Sequence, residues 1–346
     1  MTAVLGVASS VPVAADPPLN QKALARLSSI ANIRFHQQQL QNIADANGDT
    51  RASGTPGFDQ SADYVARVLR RAGLKVTRQE FEFPFFQELS PAEFEQLAPN
   101  AVTYVLGSTA DNGFFTLEYS GSSAPAGVTG TVQGTNDIQV PPGPTPSSSH
   151  SGCEAADFAG FAAGNVALIQ RGTCTFQLKA ENAQAAGAIA AIIFNEGQPG
   201  RTEAFSGTLG GPTVDIPVIG VSFATGAEFH QSASPVSVRI LVDSISELRT
   251  TENVFGETRF GSKNHVVVVG AHLDSVPEGP GINDNGSGTA AILDIAQKHR
   301  TLFPRNKLRF AFWGAEENGL LGSEHYVANL TPEDRAQIML NLNFDM

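Results

Sequence analysis

VVVVG at residues 266–270, LRFAFW at 308–313 and IMLNLNF at 338–344 are the runs that decide the fold. Each is short and apolar, and turn residues follow it. Runs of this kind are typical of buried strands that are covered on both faces, rather than of strands with one face in water. They predict three strands of an α/β sheet.

Side chains that can bind a metal follow each of these runs. They are His272, Asp274, Glu316, Glu317 and Asp345. A glycine-rich turn between the first two runs, GINDNGSG at 281–288, adds the carboxylate of Asp284. Ligand sites in open α/β sheets lie outside the carboxyl ends of the strands. A histidine and carboxylates delivered there from several strands are what a zinc site of the His/Asp/Glu type requires.

Four motifs carry a family resemblance. They are AHLDSV (271–276), GINDNGSG (281–288), FWGAEENGLLGS (312–323) and NFDM (343–346). Any one of them is a weak signal, but all four in this order, each beside the expected strand or helix, are specific. The chain resembles the co-catalytic zinc aminopeptidases, in particular the secreted kind that carries a protease-associated domain. The resemblance runs from about residue 40 to the last residue.

The resemblance implies four metal ligands. His272 and Asp345 would bind one zinc ion. Glu317 would bind the other, and Asp284 would bridge the two, since two close dications need a shared carboxylate. The cofactor expectation is therefore two zinc ions per complete active site.

The resemblance also implies two catalytic residues, Glu316 and Asp274. Glu316 would be the general base, which takes a proton from the water that the metal ions activate. Asp274 would lie behind His272, where it would fix the imidazole and raise its basicity. The Asp284–Asn285 peptide bond would be cis, as in the family.

Simpler interpretations of the same residues stay open at this point. A single histidine such as His272 is more often a packed side chain than a ligand. Glu316 and Glu317 could begin a solvated helix, where carboxylates suit the helix dipole. Asp284 could be a turn residue, and Asp345 could have no role.

One ligand of the family is missing from the sequence. The family's last zinc ligand is a histidine beyond the NFDM motif, and none of the seven histidines here has its strand-end context. His325 is expected on the helix that follows the glutamate pair. The sequence therefore predicts a peptidase domain that lacks its C-terminal part, binds at most one zinc firmly and hydrolyses substrate poorly.

Further elements of the peptidase domain are predicted nearer the start of the chain. Apolar spacing predicts a helix over residues 21–46 and a second over 59–72, which Gly73 would end. The turn-rich segment 47–57 between them resembles the GTPG loop of the family. Alternating apolar residues predict a strand over 75–86.

A second domain is predicted within the chain. The composition changes between residues 101 and 242, where short apolar runs alternate with segments rich in Gly, Ser and Pro, such as the loop 141–149. The run at 167–196, ALIQRGTCTFQLKAENAQAAGAIAAIIFNE, resembles the protease-associated domain and predicts a strand–helix–strand unit. This domain would interrupt the peptidase domain and restrict the mouth of its active site.

The predicted fold class is accordingly α/β. We expect a zinc-exopeptidase α/β/α sandwich with a mixed sheet and an inserted, mainly β protease-associated domain. The expected division is a leader at 1–20, N-terminal peptidase elements at 21–100, the protease-associated domain at 101–248 and the metal-binding part at 249–346.

Cys153 and Cys174 are the only cysteines. An even pair in an exported protein favours a disulfide, which would close a loop of about twenty residues and contribute roughly 3 kcal/mol in the chain-entropy model. Two free thiols, or a nucleophilic Cys174, are the alternatives, although no histidine motif accompanies Cys174.

Composition, charge and the N-terminal residues indicate which binding partners and which cellular compartment to expect. The chain has 346 residues, enough for two or three domains, and a formal net charge of −12, which argues against nucleic acid or an anionic membrane as a partner. No apolar run approaches the length of a membrane span. Residues 1–16 resemble the end of a signal peptide but lack a basic segment, so an ordinary disordered terminus is the alternative. Secretion is expected.

The sequence thus predicts a secreted zinc aminopeptidase, monomeric when complete, that acts on peptides with a free N-terminus. The substrate's α-amino group would lie near Glu316 and Asp345. A non-catalytic binding protein on the same scaffold, a zinc carboxypeptidase and a glutaminyl cyclase are the alternatives. The preferred N-terminal residue cannot be read from these motifs.

Overall fold

A computed structural model describes residues 28–123, 125–302 and 304–346. The predicted leader at 1–20 lies outside the described residues. In chain order the helices and strands are α1 (Ile30–Asp45), α2 (Pro56–Ala72), β1 (Lys75–Ala98), β2 (Val102–Thr103), β3 (Val105–Leu106), β4 (Gly113–Thr116), β5 (Val128–Gly134), β6 (Val166–Gln170), α3 (Phe176–Ala185), β7 (Ala190–Phe194), β8 (Val218–Val221), α4 (Phe223–Gln231), β9 (Ser237–Glu257), β10 (Ser262–His272), α5 (Gly286–Leu302), β11 (Asn306–Trp313), α6 (Leu321–Ala328), α7 (Pro332–Gln337) and β12 (Ile338–Asn343). A 3₁₀ turn occupies Ala155–Phe158.

The chain divides into two compact units. Unit 1 contains the described residues up to Phe81 together with Thr251–Met346, and unit 2 is Glu82–Thr250. Strands β1 and β9 pass from one unit to the other. None of the described helices is long and apolar enough to cross a membrane.

The sheet of unit 1 is mixed and has the order β12-β10-β11-β9. The central strand β10 is parallel to both β11 and β12, whereas β11 is antiparallel to the end of β9. In this register His272 lies opposite Trp313, and Gly270 lies opposite Asn343. The carboxyl ends of β10, β11 and β12 therefore meet at one edge, as the sequence predicted.

Successive residues of β10 pack on opposite faces of this sheet. Val269 and Ala271 contribute to a core shared with α1, α2 and α5. Val266 and Val268 contribute to a core on the other face, where Tyr326 of α6 also packs. Both faces of the central strand are buried, which explains its run of four valines. The predicted α/β/α sandwich with a mixed sheet is confirmed.

Local signals in the sequence explain some of the helix ends. Gly73 ends α2 with a φ of +84°, a conformation that glycine adopts without strain. The predicted start of the first helix, at residue 21, lies outside the described residues. Residues 28 and 29 were predicted to be helical but are not, because Ser29 accepts a hydrogen bond from the backbone N–H of Asn32 and α1 begins at Ile30. The strand predicted over 75–86 continues to Ala98.

Within unit 2 the hydrogen-bonded strands follow the order β9-β5-β6-β7-β8-β4-β3. Strands β5 to β8 are parallel neighbours, and α3 connects β6 to β7, which confirms the predicted strand–helix–strand unit. Every residue of β6 and β7 is buried, as in the parallel strands of α/β layers. The segment 141–149 contains no helix or strand, as predicted.

The disulfide between Cys153 and Cys174 is present, as predicted. Replacing both cysteines by serine releases a loop of 21 residues, and about 3 kcal/mol of stability is lost in the chain-entropy model. Hydrogen exchange of the β6 and β7 amides therefore becomes roughly 100-fold faster, whereas the β11 amides of unit 1 serve as an internal control. Unchanged protection in β6 and β7 would contradict this expectation.

A buried lysine makes the stability of unit 2 depend on pH. Lys179 is fully buried; its ammonium donates to the carbonyl of Ser151, and its Nζ lies 3.6 Å from Cys153 Sγ. Burial lowers the pKa of Lys179 from 10.5 to about 8, although Asp157 and Glu196 oppose the shift. The unfolded chain consequently binds this proton more tightly than the folded protein.

The free energy of unfolding should therefore rise between about pH 8 and 10.5, relative to a Lys179→Met variant without the titrating group. Urea unfolding followed by circular dichroism at pH 7.5, 8.5 and 9.5 measures the difference between the two proteins. Parallel pH profiles for wild type and variant would show that Lys179 does not carry the effect.

Candidate metal centre

His272 is the last residue of β10 and is almost completely buried. Its Nδ1 lies 3.1 Å from the backbone oxygen of Asp274, which fixes the orientation of the ring. The hydroxyl of Thr289 on α5 donates to the His272 carbonyl over 2.7 Å and so ties this strand end to the helix behind it. The Nε2 atom is left facing the edge of the sheet.

Three side chains converge at this edge. Nε2 of His272 lies 3.0 Å from Asp284 Oδ1 and 3.2 Å from Asp345 Oδ1. One ligand atom from each residue lies within 4.8 Å of the other two. Two ligand atoms bound to one tetrahedral zinc at about 2.0–2.1 Å lie roughly 3.3 Å apart. The spacing and the imidazole–carboxylate chemistry therefore fit a zinc ion, with three protein ligands as in catalytic sites.

The glutamate pair lies in the turn between β11 and α6. Glu316 Oε2 is 3.7 Å from His272 Nε2, so this carboxylate borders the group of three. Glu317 is not a member of that group. The helix starts only at Leu321, so the alternative of a solvated helix start does not describe these two residues.

Besides its predicted place behind His272, Asp274 has a second role that the sequence did not indicate. Its side chain is fully buried, and one carboxylate oxygen lies 3.6 Å from His272 Nδ1. The same carboxylate accepts the backbone N–H groups of Glu316, at 3.2 Å, and Glu317, at 3.3 Å. Asp274 therefore holds the turn that contains Glu316 and Glu317 close to His272.

Asn285 connects the glycine-rich turn to the end of β12. The Asp284–Asn285 bond is cis, as predicted. The side-chain amide of Asn285 donates to the carbonyl of Phe344 over 2.8 Å, and its oxygen accepts from the backbone of Gly288 over 3.0 Å. These bonds bring Asp284 and Asp345 to the same place. The turn sequence gives no signal for this link, because its partner lies about sixty residues away.

The crowding of carboxylates changes several pKa values. Burial alone would lower the pKa of His272, but Asp274, Glu316 and Asp345 outweigh it and raise that pKa to about 9. Burial raises the pKa of Glu317 to about 7. Neighbouring carboxylates raise it further, whereas His272 opposes the shift. The pKa of Glu316 is raised for the same reasons. The edge thus carries a negative potential that a cation would relieve.

Comparison with protein families assigns both parts of the chain. Residues 253–346 match the model of peptidase family M28, and residues 136–229 match that of the PA domain. The fold and the donor groups agree with these two matches: an α/β unit with a metal-binding edge is interrupted by an inserted second domain. The metal-binding part of the chain thus matches peptidase family M28, and the inserted part matches the PA domain, the protease-associated domain that the sequence predicted.

Similar proteins are aminopeptidases by name. An aminopeptidase of Pseudomonas aeruginosa is 44% identical over 337 residues, which are 97% of this chain and 60% of that protein. A probable lipoprotein aminopeptidase of Mycobacterium tuberculosis is 39% identical over 97% of this chain and 63% of its own length. The chain thus spans about three fifths of the length of these relatives.

Solved structures agree with the fold. An aminopeptidase from Aneurinibacillus sp. strain AM-1 superposes with a TM-score of 0.66 at 26% identity, over 93% of this chain and 71% of the other. A zinc aminopeptidase from Bacillus subtilis superposes with a TM-score of 0.52 at 28% identity, over 91% of this chain and 69% of the other.

Proposed function

We propose that this protein is a zinc-dependent aminopeptidase. One observation carries the proposal: the ligand atoms of His272, Asp284 and Asp345 converge at the carboxyl ends of parallel strands, with Glu316 beside them. The relatives are named as aminopeptidases and one structural neighbour as a zinc aminopeptidase, which supports the same function.

In this proposal two zinc ions occupy the complete site. His272 and Asp345 would hold one ion, Glu317 would hold the other, and Asp284 would contribute its carboxylate to both. Burial, and after it the neighbouring carboxylates, raise the pKa of Glu317, so a nearby cation would stabilise its ionised form. Asp274 supports the site from behind through its contacts with His272 and with the glutamate turn.

Bound zinc supplies Lewis acidity: it lowers the pKa of a water and stabilises the oxyanion that forms from the scissile carbonyl. Glu316 takes the proton of the attacking water on a carboxylate oxygen and returns it to the leaving amine. In the metal-free protein, burial and the surrounding carboxylates raise the pKa of Glu316.

Exopeptidase specificity follows from the same carboxylates. A peptide's free α-ammonium group is cationic, and Glu316 and Asp345 offer oxygen acceptors for it at the edge of the sheet. Binding the ammonium there places the first peptide bond beside the base. An N-blocked peptide lacks the charge and forfeits this interaction.

The test is an assay of the full-length protein against aminoacyl-anilides and N-blocked peptides. Hydrolysis of the free aminoacyl substrates alone, abolished by a chelator and restored by zinc, is the expected result. Cleavage of N-blocked peptides from the C-terminus would indicate a carboxypeptidase. Cyclisation of N-terminal glutamine would indicate a glutaminyl cyclase, and zinc binding without turnover would indicate a binding protein.

We also propose that the protein acts outside the cytoplasm. The disulfide between Cys153 and Cys174 supports this location, because disulfides persist mainly in oxidising compartments. Detecting the protein in the culture medium or cell envelope tests the proposal, and a purely cytoplasmic pool would refute it.

A further inference from the structure

Arg51 is the largest polar side chain buried near the metal centre. It lies in the loop between α1 and α2 and is fully shielded from solvent. Burying a cation is costly unless its N–H groups find partners. The partners of this guanidinium are backbone carbonyls of the metal-binding segments, which gives the residue a place in the site.

The guanidinium connects two separate segments. Nη1 donates to the carbonyl of Leu273, the residue between His272 and Asp274. Nε donates to Pro280 O and Nη2 to Gly281 O, each over 2.8 Å. The first segment carries the histidine, and the second leads within three residues into Asp284. One side chain thus spans the end of β10 and the turn of the bridging aspartate.

The backbone of the same loop reinforces the link. The Arg51 N–H donates to Ser275 Oγ over 3.0 Å, and the Ser275 N–H approaches the Arg51 carbonyl at 3.4 Å. Gly281 packs directly against this arrangement with a φ of +55°. A Cβ at Gly281 would come within 2.5 Å of Ser275 Cβ and 3.2 Å of Arg51 Nη2, so the segments have little freedom to move apart.

Only arginine can make these contacts. Its planar guanidinium presents five N–H donors in fixed directions, whereas a lysine offers one nitrogen atom and cannot bond to three separated carbonyls. Burial lowers the pKa of Arg51 to about 10, against the opposing effect of Asp274 and Glu317, so the charge persists at neutral pH. The positive charge also lies near the carboxylates of the centre.

We propose that Arg51 is a positioning residue of the metal centre: it fixes the His272 segment against the Asp284 turn, and thereby sets the affinity for zinc. This inference rests on the proposed function only in taking zinc as the bound ion. Arg51 touches neither metal nor substrate and acts through the two segments that it joins.

Zinc affinity of the full-length protein, measured by competition with a chromophoric chelator, is the primary readout. Arg51→Lys should weaken zinc binding by about 10- to 100-fold, the range typical of residues that orient ligands. The absorption spectrum of the cobalt-substituted protein should shift as well, because it reports ligand geometry. Arg78→Lys is the matched control: Arg78 pairs with Glu252 and Asp63 in the same unit, away from the converging ligands.

The outcomes are distinct. Wild-type zinc affinity and an unchanged cobalt spectrum in a folded Arg51→Lys protein overturn the inference. So does failure of this variant to fold while Arg78→Lys folds, because Arg51 would then determine the fold rather than the site. Absence of zinc binding in the wild type would instead refute the proposed function.

A second variant adds a specific readout. Arg51→Ala leaves a cavity beside the three carbonyls, and guanidinium ion should restore zinc affinity where ammonium ion at equal ionic strength does not. Equal effects of the two ions would show that charge alone, and not the arrangement of donors, sustains the site, and would overturn the positioning role.

Discussion

Replacing Glu316 by glutamine lowers kcat by about 10²- to 10⁴-fold, the usual contribution of a general base. The amide keeps the shape of the side chain beside His272 but cannot accept the proton of the attacking water. Zinc content should remain at the wild-type level, since Glu316 borders the ligand group without belonging to it. Steady-state kinetics on an aminoacyl-anilide, together with metal analysis of the same samples, measures both quantities.

Glu324→Gln is the control for this substitution. Glu324 is exposed on α6, eight residues further along the chain, and undergoes the same chemical change. Its kcat should equal that of the wild type. A Glu316→Gln enzyme with more than about a tenth of wild-type kcat would assign the base to another group.

Replacing Asp284 by asparagine removes the carboxylate that we propose binds both zinc ions, and it should lower zinc affinity more than any of the other substitutions. We expect zinc affinity to fall by more than about 100-fold, beyond the range for residues that only orient ligands. Because less zinc is bound, activity at limiting zinc concentrations should be lost as well. Chelator competition measures the affinity, and excess zinc should restore activity only in part, because the neutral amide cannot replace the negative charge of the carboxylate beside the bound metal.

Asp45→Asn provides the matched control for this second change. Asp45 is exposed at the end of α1 and makes a local contact with Gln41. Its zinc affinity should be unaltered. Equal affinities for Asp284→Asn and wild type would remove Asp284 from the ligand set and leave the turn at 281–288 a structural element.

The part of the fold that surrounds the site could be predicted because its signals are local. A run of four valines in β10 indicates a strand buried on both faces, and Gly73 marks the end of α2. The parallel arrangement places the residues after β10, β11 and β12 at one edge, so the convergence of His272 and Asp345 follows from the strands themselves.

The supporting contacts could not be predicted because they join residues far apart in sequence. Arg51 lies more than two hundred residues before the carbonyls that it binds, in a loop without periodicity. The carboxylate of Asp274 was expected to act on His272 alone, yet it also accepts from the glutamate turn forty-two residues further on. These contacts form only when the fold brings distant segments together, so the residue types alone do not predict them.

Anomalous diffraction at the zinc edge, from crystals of the zinc-loaded full-length protein, tests the central claim most directly. The expected result is a peak about 2.0–2.2 Å from His272 Nε2 and from carboxylate oxygens of Asp284 and Asp345, with a second peak on the far side of Asp284 near Glu317. A zinc ion bound elsewhere, with His272 in contact only with carboxylates, would contradict the proposed metal centre.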